Sequence, residues 1–282
     1  MPTERRIRVR GLDLAIREWR PGGKPVLLLH GFLDHKGSFD LLAPLLPAHL
    51  NPIALDFPGH GDSDRRAPQG FYHLVEYVAD AVLALRELGV SGAPIVGHSM
   101  GAIVALMAAA AAPDAVERVV ALEGLGPYTY EPAAAVGRLA DFVSGLASPK
   151  APRVHPTREA ALQRLREATP YLPERALEAM LAGGARAVPG GLVFKHDPAL
   201  RVRSPLLFPE DAVLAMLAAI RCPVLALAAA LTENPFAPGV LERRAAAIAH
   251  LTRVDVQGVN HHLHLEQPET VAALVGPFLL GA

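Results

Sequence analysis

The stretch IVGHSMGAIVALMAAA, which begins at Ile95, restricts the possible folds more than any other part of the chain. Two apolar residues lead into Gly97, and a long alanine-rich helical pattern follows Gly101. A G-x-S-x-G motif between a strand and a helix is typical of a sharp turn, in which the serine takes a strained backbone conformation and the glycines let the neighbouring backbone approach closely. The motif therefore predicts Ser99 as a nucleophile above the edge of a sheet, although a chain with 24 glycines can also contain this spacing by chance.

Strand and helix patterns alternate along most of the chain. The N-terminal segment IRVRGLDLAIREW alternates apolar and polar residues before the turn PGGKP, which predicts an antiparallel hairpin or edge strands. Six later apolar runs are typical of buried parallel strands: PVLLLHG, PIALDFPGHG, APIVGHS, RVVALEG, CPVLALAAA and TRVDVQG. Helical patterns such as YHLVEYVADAVLALRELG and GVLERRAAAIAH lie between several of them. The chain is therefore predicted to be an α/β protein, with a mostly parallel central sheet and helices on both faces.

Residues 127–205 interrupt this alternation. The region is helical and punctuated by proline, and it contains no convincing core strand. We interpret it as a helical cap inserted between two parts of one core domain, residues 1–126 and 206–282, and such a cap over the strand ends would exclude water and shape a pocket. The alternative is a separate helical domain on a linker.

Composition limits the class of protein. With 282 residues, of which 51 % are hydrophobic and 20 % charged, the chain is ordinary globular material. A formal net charge of −1 gives no reason to expect a nucleic acid or a membrane surface as partner. We find no apolar signal region and no membrane span, so a cytoplasmic protein is expected, and the oligomeric state is left open. Cys222, the single cysteine, cannot form an internal disulfide and is interpreted as a packing residue.

A serine nucleophile needs a base, and the C-terminal stretch VQGVNHHLHLEQPETV supplies candidates. His261 comes first after the last apolar strand and its turn, and we predict it as the base. His262 and His264 are interpreted as packing residues. His261 and His264 also lie three positions apart, a spacing that could hold a metal, but no obvious further ligands complete such a set in the sequence, and no metal is predicted.

Two further groups complete the predicted site. Backbone N–H groups must stabilise the developing oxyanion, and we assign these to Met100, which follows the nucleophile, and to Phe32 in the loop after LLLHG. An acid must orient the base, and both Glu123 and Glu233 fit the required chain order. Glu123 directly ends the strand VVAL, whereas Glu233 lies several residues into a loop, so we favour Glu123 on its position.

Taken in chain order, the motifs LLLHGFLD, ALDFPGHGDSD, VGHSMG and NHHLHLEQP resemble the α/β-hydrolase superfamily over nearly the whole chain. The stretches HGFLDHKGSFDLLAPLLP and ARAVPGGLVFKHDPALR resemble the serine hydrolase-like proteins within it. In that branch an acidic residue follows the strand after the nucleophile helix, which matches Glu123. The position where the superfamily more often carries its acid holds Ala230, Leu231 or Thr232, with Glu233 displaced. Dehalogenases and epoxide hydrolases share the fold but use an aspartate nucleophile, so Ser99 argues against both.

The resemblance implies a cofactor-free serine hydrolase that cleaves an ester of a small to medium hydrophobic molecule through an acyl-enzyme. Thioesters, lactones, carbon–carbon bonds and a perhydrolase-like activity use the same triad and stay open, as does a binding protein that retains the fold without turnover. Asp56, from the motif LDFPGHGDSD, is expected to shape a loop near the site, while Asp62 and Asp64 cap or turn the chain there.

The cap offers residues that would select a substrate. An acidic substrate would need a cationic pocket residue, for which Arg138, Arg164 and Arg166 are available, although solvated helix faces suit them equally well. The sequence does not assign the apolar side chains of the cap to pocket or core; they include Phe142, Leu146, Leu181 and Phe194.

Overall fold

A computed structural model describes residues 2–66, 71–129, 131–147, 151–233 and 236–281. Its centre is a sheet of eight strands in the order β1-β2-β4-β3-β5-β6-β9-β10. These strands are β1 (Thr3–Val9), β2 (Leu12–Glu18), β3 (Lys24–Leu29), β4 (Leu50–Leu55), β5 (Ala93–His98), β6 (Val116–Leu122), β9 (Val224–Ala229) and β10 (Leu251–Val256). The pairings from β4 through β10 are parallel, whereas β1 with β2 and β2 with β4 are antiparallel. Both the predicted N-terminal hairpin and the predicted mostly parallel sheet are confirmed.

The central strands are apolar because helices cover them on both faces. Every residue of β4 and of β5 is buried, as expected for a parallel sheet inside two layers of helix. The helices of the core are α1 (Leu74–Glu87), α2 (Met100–Ala111), α6 (Glu210–Ala218), α7 (Val240–Ala247), α8 (Leu263–Glu266) and α9 (Pro268–Leu280). One apolar cluster joins α1, α2 and α6 to one face of the sheet, and a second joins α9 and the residues after β3 to the other.

The segment predicted as a cap contains three helices, α3 (Ala135–Ala147), α4 (Arg158–Ala168) and α5 (Glu174–Gly184). It also contains a hairpin of β7 (Ala185–Val188) and β8 (Gly191–Phe194), separate from the central sheet. The sequence pattern did not predict this hairpin, but the segment contributes no strand to the central sheet among its described residues. The turn between the two strands carries Gly190 at φ +86°, a conformation that the Pro-Gly pair in the sequence signals. The boundaries at 127 and 205 remain a prediction.

Several polar contacts tie the segment 127–205 to the core, among them one to the loop after β4 and one to the loop after β3. Nζ of Lys195 lies 2.6 Å from a carboxylate oxygen of Asp62, in the loop after β4. Nε2 of His35 donates to the carbonyl oxygen of Met180 in α5 over 2.9 Å. Helices α4 and α5 also share a small apolar cluster with Leu265 of α8. Because the core residues in these contacts follow the carboxyl ends of β3, β4 and β10 along the chain, the segment lies over that edge of the sheet.

Strand order places the predicted chemistry at one edge of the sheet. From β3 the chain passes first to β4 on one side and then to β5 on the other, and this reversal opens a crevice beyond the carboxyl ends of the strands. Ser99 follows β5, Glu123 follows β6, and His261 lies in the loop after β10. Within the described residues, no helix is both long and apolar enough to cross a membrane.

Candidate active site

Ser99 occupies a strained turn between β5 and α2. Its φ is +52°, in the left-handed region that residues with a side chain rarely adopt, and its backbone N–H donates to the carbonyl oxygen of Leu122 over 2.8 Å. A β-carbon at Gly97 would overlap the carbonyl oxygen of Gly101, and one at Gly101 would overlap that of Leu29. Both glycines of the motif are therefore required by close backbone packing, and the turn holds the serine hydroxyl out of the sheet.

The structure brings the three predicted catalytic side chains together. Nε2 of His261 lies 3.0 Å from Oγ of Ser99, within hydrogen-bond reach. Nδ1 of His261 lies 3.3 Å from Oε2 of Glu123. An imidazole that donates Nδ1–H to a carboxylate keeps a lone pair on Nε2, so this arrangement can accept the serine proton.

Glu123, rather than Glu233, contacts the base. Its side chain is only 10 % exposed, and its other oxygen, Oε1, accepts a hydrogen bond from the N–H of Ala229 in β9. Glu123 has φ +56°, a second left-handed non-glycine residue at a strand end, and this bend carries its carboxylate toward His261. Glu233 is exposed and has no hydrogen bond or ion pair to His261 among the described residues. Geometry thus favours the same residue as chain position did.

The backbone groups predicted for the oxyanion hole lie beside the nucleophile. A β-carbon on Gly31 would come within 3.4 Å of the β-carbon of Ser99, so the loop that carries Phe32 passes directly over the serine. Met100 opens α2, where the first N–H groups of a helix have no acceptor within it. No hydrogen bond from the N–H of Phe32 or Met100 to another described residue is formed. Both amides can therefore donate to a substrate oxygen.

A buried histidine holds the loop that carries Phe32. His30 is fully buried; its Nδ1 donates to the carbonyl oxygen of Gly31 over 2.7 Å, and its Nε2 accepts from the N–H of Phe57 over 3.1 Å. Burial lowers the pKa of His30 to about 3, so it is neutral and can act as donor and acceptor at once.

Three more histidines, His98, His262 and His264, lie near His261, and among the described residues none of their side chains forms a hydrogen bond with the Ser99 hydroxyl. Nε2 of His98 donates to the backbone carbonyl oxygen of His261 over 2.8 Å, and this hydrogen bond holds the loop that carries His261. The hydroxyl of Tyr171 and Nδ1 of His262 share a hydrogen bond of 2.8 Å, and burial lowers the pKa of His262 to about 3. His264 is fully buried, and burial likewise lowers its pKa. The packing role expected for His262 and His264 is consistent with this burial, whereas the position of His98 was not predicted.

His264 belongs to a buried polar cluster. Ligand-type atoms of Asp34, His98 and His264 lie within 4.8 Å of one another. Within the described part of the chain, Oδ2 of Asp34, Nδ1 of His98 and both ring nitrogens of His264 have no hydrogen-bond partner. Two histidines and a carboxylate could hold a transition metal or a water molecule. The sequence did not predict this cluster, because its members lie far apart in the chain: Asp34 follows β3, His98 ends β5, and His264 lies in α8.

A cavity of about 670 Å³ opens beside the triad. Ser99, Glu123 and His261 line it, together with residues of β9, α7 and β10. Most of its other side chains near the strand ends are apolar, among them Ile103, Leu125, Leu227, Ala229 and Leu241. The cavity therefore extends over the strands on the Glu123 side of the serine.

Most of the cap candidates lie away from this cavity. Arg138 donates to the backbone oxygen of Ser204 over 2.9 Å, and Arg164 and Arg166 pair with glutamates on the surface of α4 and α5. These arginines do not line the cavity, so they are not pocket residues for an acidic substrate. Of the described residues in 127–205, only Tyr128 lines it.

The apolar cap candidates have other surroundings. Leu181 is buried in the cluster that α4 and α5 share, and the ring of Phe142 packs against Phe71, with ring centroids 5.1 Å apart. Leu146 is exposed, and the ring of Phe194 packs against that of His155.

The three aspartates after β4 serve the loops rather than the reaction. Asp56 is fully buried; its oxygens accept from the N–H and Nζ of Lys36, and from the N–H of Asp62. Burial would raise the pKa of Asp62, but Lys195 and Lys36 lower it to about 2. Asp64 accepts from the N–H of Asp13 over 2.9 Å. These contacts confirm that Asp56 shapes a loop beside the site.

Comparison with known proteins decides the family. A model of the alpha/beta hydrolase family matches residues 26–274. The chain belongs to the α/β-hydrolase family. It is 34 % identical to a serine hydrolase-like protein of Danio rerio, over 95 % of this chain and 85 % of that protein. It is therefore a hydrolase that resembles the serine hydrolase-like proteins.

Solved structures agree with this α/β-hydrolase assignment. A crystal structure of a hypothetical protein from Pseudomonas aeruginosa has a TM-score of 0.91 and 32 % identity, covering 98 % of this chain and 99 % of that one. The thioesterase domain from the curacin biosynthetic pathway has a TM-score of 0.85 at 24 % identity, over 98 % of this chain and 99 % of that domain, and so shares the fold. The predicted fold class is confirmed.

Proposed function

We propose that this α/β-hydrolase is a serine hydrolase that cleaves an ester bond through an acyl-enzyme. The observation that carries the proposal is the continuous contact chain from Ser99 through His261 to Glu123, at the wall of a largely apolar cavity. Nucleophile, base and acid in hydrogen-bond reach are the arrangement that acyl transfer needs.

In the first half of the reaction, Oγ of Ser99 attacks the carbonyl carbon of the ester while Nε2 of His261 takes its proton. The imidazolium that results donates Nδ1–H to Glu123, whose buried carboxylate stabilises the positive charge. The N–H groups of Phe32 and Met100 donate to the oxyanion of the tetrahedral intermediate. His261 then protonates the leaving alcohol, and the ester of Ser99 remains.

In the second half, His261 removes a proton from a water molecule, which attacks the acyl carbon. The oxyanion again lies at the N–H groups of Phe32 and Met100, and the acid product leaves as Ser99 recovers its proton. Every group in this cycle is supplied by the chain or by solvent water.

The cavity supports a small to medium hydrophobic substrate. Its volume, about 670 Å³, lies within the range of ligand pockets, and its apolar lining favours an acyl or alkyl group. Thioesters, lactones and carbon–carbon bonds use the same triad and are the alternative substrates; a non-catalytic binding protein is the alternative class.

Hydrolysis of p-nitrophenyl esters from acetate to decanoate tests the proposal. We expect turnover by the wild type, an optimum at an intermediate chain length, and loss of turnover in Ser99→Ala. A fluorophosphonate probe should label the wild type and not Ser99→Ala. If neither turnover nor labelling occurs in folded wild type, the serine mechanism is wrong; labelling without ester turnover would instead favour one of the alternative acyl substrates.

A further inference from the structure

The outer part of the cavity carries an excess of acidic side chains. Glu233, Glu242, Asp255 and Arg253 all line it, on the loop after β9, on α7 and on β10. All four are exposed, so this part of the cavity is its solvent-facing mouth. Among the described residues of this mouth there are thus three acidic side chains and one cation, and none of the three is Glu123.

Arg253, the one arginine among the described residues that line this mouth, is paired with an acidic neighbour. Nε and Nη2 of Arg253 each lie 3.2 Å from Oδ1 of Asp255. Among the described residues, Glu233 and Glu242 form no ion pair. The two glutamates therefore leave a net negative field across the mouth of the cavity.

An aromatic wall lies in the same cavity. Tyr128 and Phe236 both line it, with ring centroids 5.5 Å apart, and Tyr128 is 58 % exposed. The guanidinium of Arg244 already stacks on Phe236, 4.5 Å from the ring centroid, and is itself paired with Glu210. Aromatic faces beside carboxylates are the surroundings in which proteins bind alkylammonium groups.

We propose that the substrate carries a cationic group, of the alkylammonium class, at the end distant from the scissile ester. This inference rests on the proposed function. The apolar wall beside Ser99 takes the acyl chain, the rings of Tyr128 and Phe236 contact the methyl or methylene groups around the nitrogen, and Glu233 and Glu242 attract its charge. Substrates with an anionic group at that end are repelled by the same two carboxylates.

Three butyrate esters with a cationic, an uncharged and an anionic terminal group provide the test. Butyrylcholine is cationic, neohexyl butyrate replaces its nitrogen by carbon, and butyryl isethionate carries a sulfonate at the same position. Two carboxylates that each lie about 7 Å from a unit cation, in surroundings close to bulk water, favour binding of the cationic ester over the uncharged one by roughly sevenfold. We expect kcat/KM to fall in the order cationic, uncharged, anionic, with the ratios approaching one near 1 M salt, where the Debye length is about 3 Å.

Variants at the mouth assign the effect. In the double variant Glu233→Gln and Glu242→Gln, the ratio of kcat/KM for butyrylcholine to that for neohexyl butyrate should fall several-fold. Glu242→Gln alone, on an exposed face of α7, should give about half of that loss on a logarithmic scale. This single variant keeps the inference testable if the double variant fails to fold. Glu87→Gln removes an exposed carboxylate from the end of α1, away from the cavity lining, and should leave the ratio unchanged.

The outcomes separate this inference from the proposed function. If p-nitrophenyl butyrate and neohexyl butyrate are hydrolysed but the three charges give equal kcat/KM, or the anionic ester is preferred, the cationic substrate is refuted and the serine mechanism stands. An equal loss of charge preference in Glu87→Gln would also overturn it, since the effect would then come from overall charge. If no ester is hydrolysed, the proposed function itself fails.

Discussion

Replacing Glu123 by glutamine is expected to move the imidazole proton of His261 from Nδ1 to Nε2. Oε1 of Glu123 accepts from the N–H of Ala229, and Oε2 faces Nδ1 of His261 at 3.3 Å. In Glu123→Gln, the N–H of Ala229 keeps the amide oxygen on its side, so the amide NH₂ group points at His261. An NH₂ group can only donate, which makes Nδ1 the acceptor and places the imidazole proton on Nε2. That tautomer cannot accept the proton of Ser99.

The expected loss in kcat follows from this geometry. Enforcing the wrong tautomer in a serine–histidine–carboxylate triad lowers kcat by about 10⁴. The contact between His261 and Glu123 is 3.3 Å, longer than the usual 2.9 to 3.0 Å for N–H···O, so we expect a somewhat smaller loss, about 10³, which is about 4 kcal/mol of transition-state stabilisation. Because the amide keeps the hydrogen bond from Ala229, the free energy of unfolding should change by less than about 1 kcal/mol.

Steady-state kinetics with p-nitrophenyl butyrate measure kcat, and urea unfolding checks the fold. Glu233→Gln is the matched variant, since it removes the other glutamate that the chain order allows, and it should lower kcat far less. A decrease below tenfold in folded Glu123→Gln, or an equal decrease in Glu233→Gln, would refute the assignment of Glu123 as the orienting acid.

Three further predictions concern the scaffold of the site. His98→Leu removes the donor to the carbonyl oxygen of His261. Because the backbone of His261 is then no longer held, kcat should fall at least tenfold with little change in KM. A kcat equal to that of the wild type would show that this hydrogen bond does not position His261. Gly101→Ala should destabilise the fold by about 3 kcal/mol or more in urea unfolding, since its β-carbon overlaps backbone, whereas Gly137→Ala, with open space around it, should be neutral or slightly stabilising. Acid should destabilise the protein, because burial lowers the pKa of His262 from 6.5 to about 3. The contribution of neutral His262 to the free energy of unfolding is complete above pH 6.5 and is lost as the pH falls, at about 1.4 kcal/mol per pH unit. His262→Gln should flatten this pH dependence in unfolding curves between pH 7 and 5.

The elements that sequence patterns predicted well are those with a strong local cause. Strands such as β4 and β5 are apolar along their whole length because both faces are covered, and α2 is a run of good helix formers. The elbow around Ser99 was predictable because only glycine fits the close backbone contacts on either side. The hairpin of β7 and β8 was missed, because two strands of four residues are too short for their periodicity to stand out from neighbouring helical patterns.

For the site, chain order alone indicated Ser99, His261 and two possible acids. Deciding between Glu123 and Glu233 required the distance to the imidazole, which depends on how β6 and β9 are placed side by side. The contact of His98 with the loop of the base carries no sequence signal, because 163 positions separate the two residues along the chain. The sequence likewise contains no signal for the direction in which the cavity extends from Ser99.

The sequence by itself determined the α/β architecture and indicated the predicted nucleophile and base, since each depends on local pattern or on the order of motifs along the chain. Only the tertiary structure decided which glutamate reaches the base, which histidines support it, and that the cavity runs toward acidic side chains on β10 and α7 rather than toward the arginines of the cap. The reason is physical: burial, hydrogen-bond partners and the field in a cavity depend on distances between residues far apart in the chain, and a strand or helix pattern contains none of these distances.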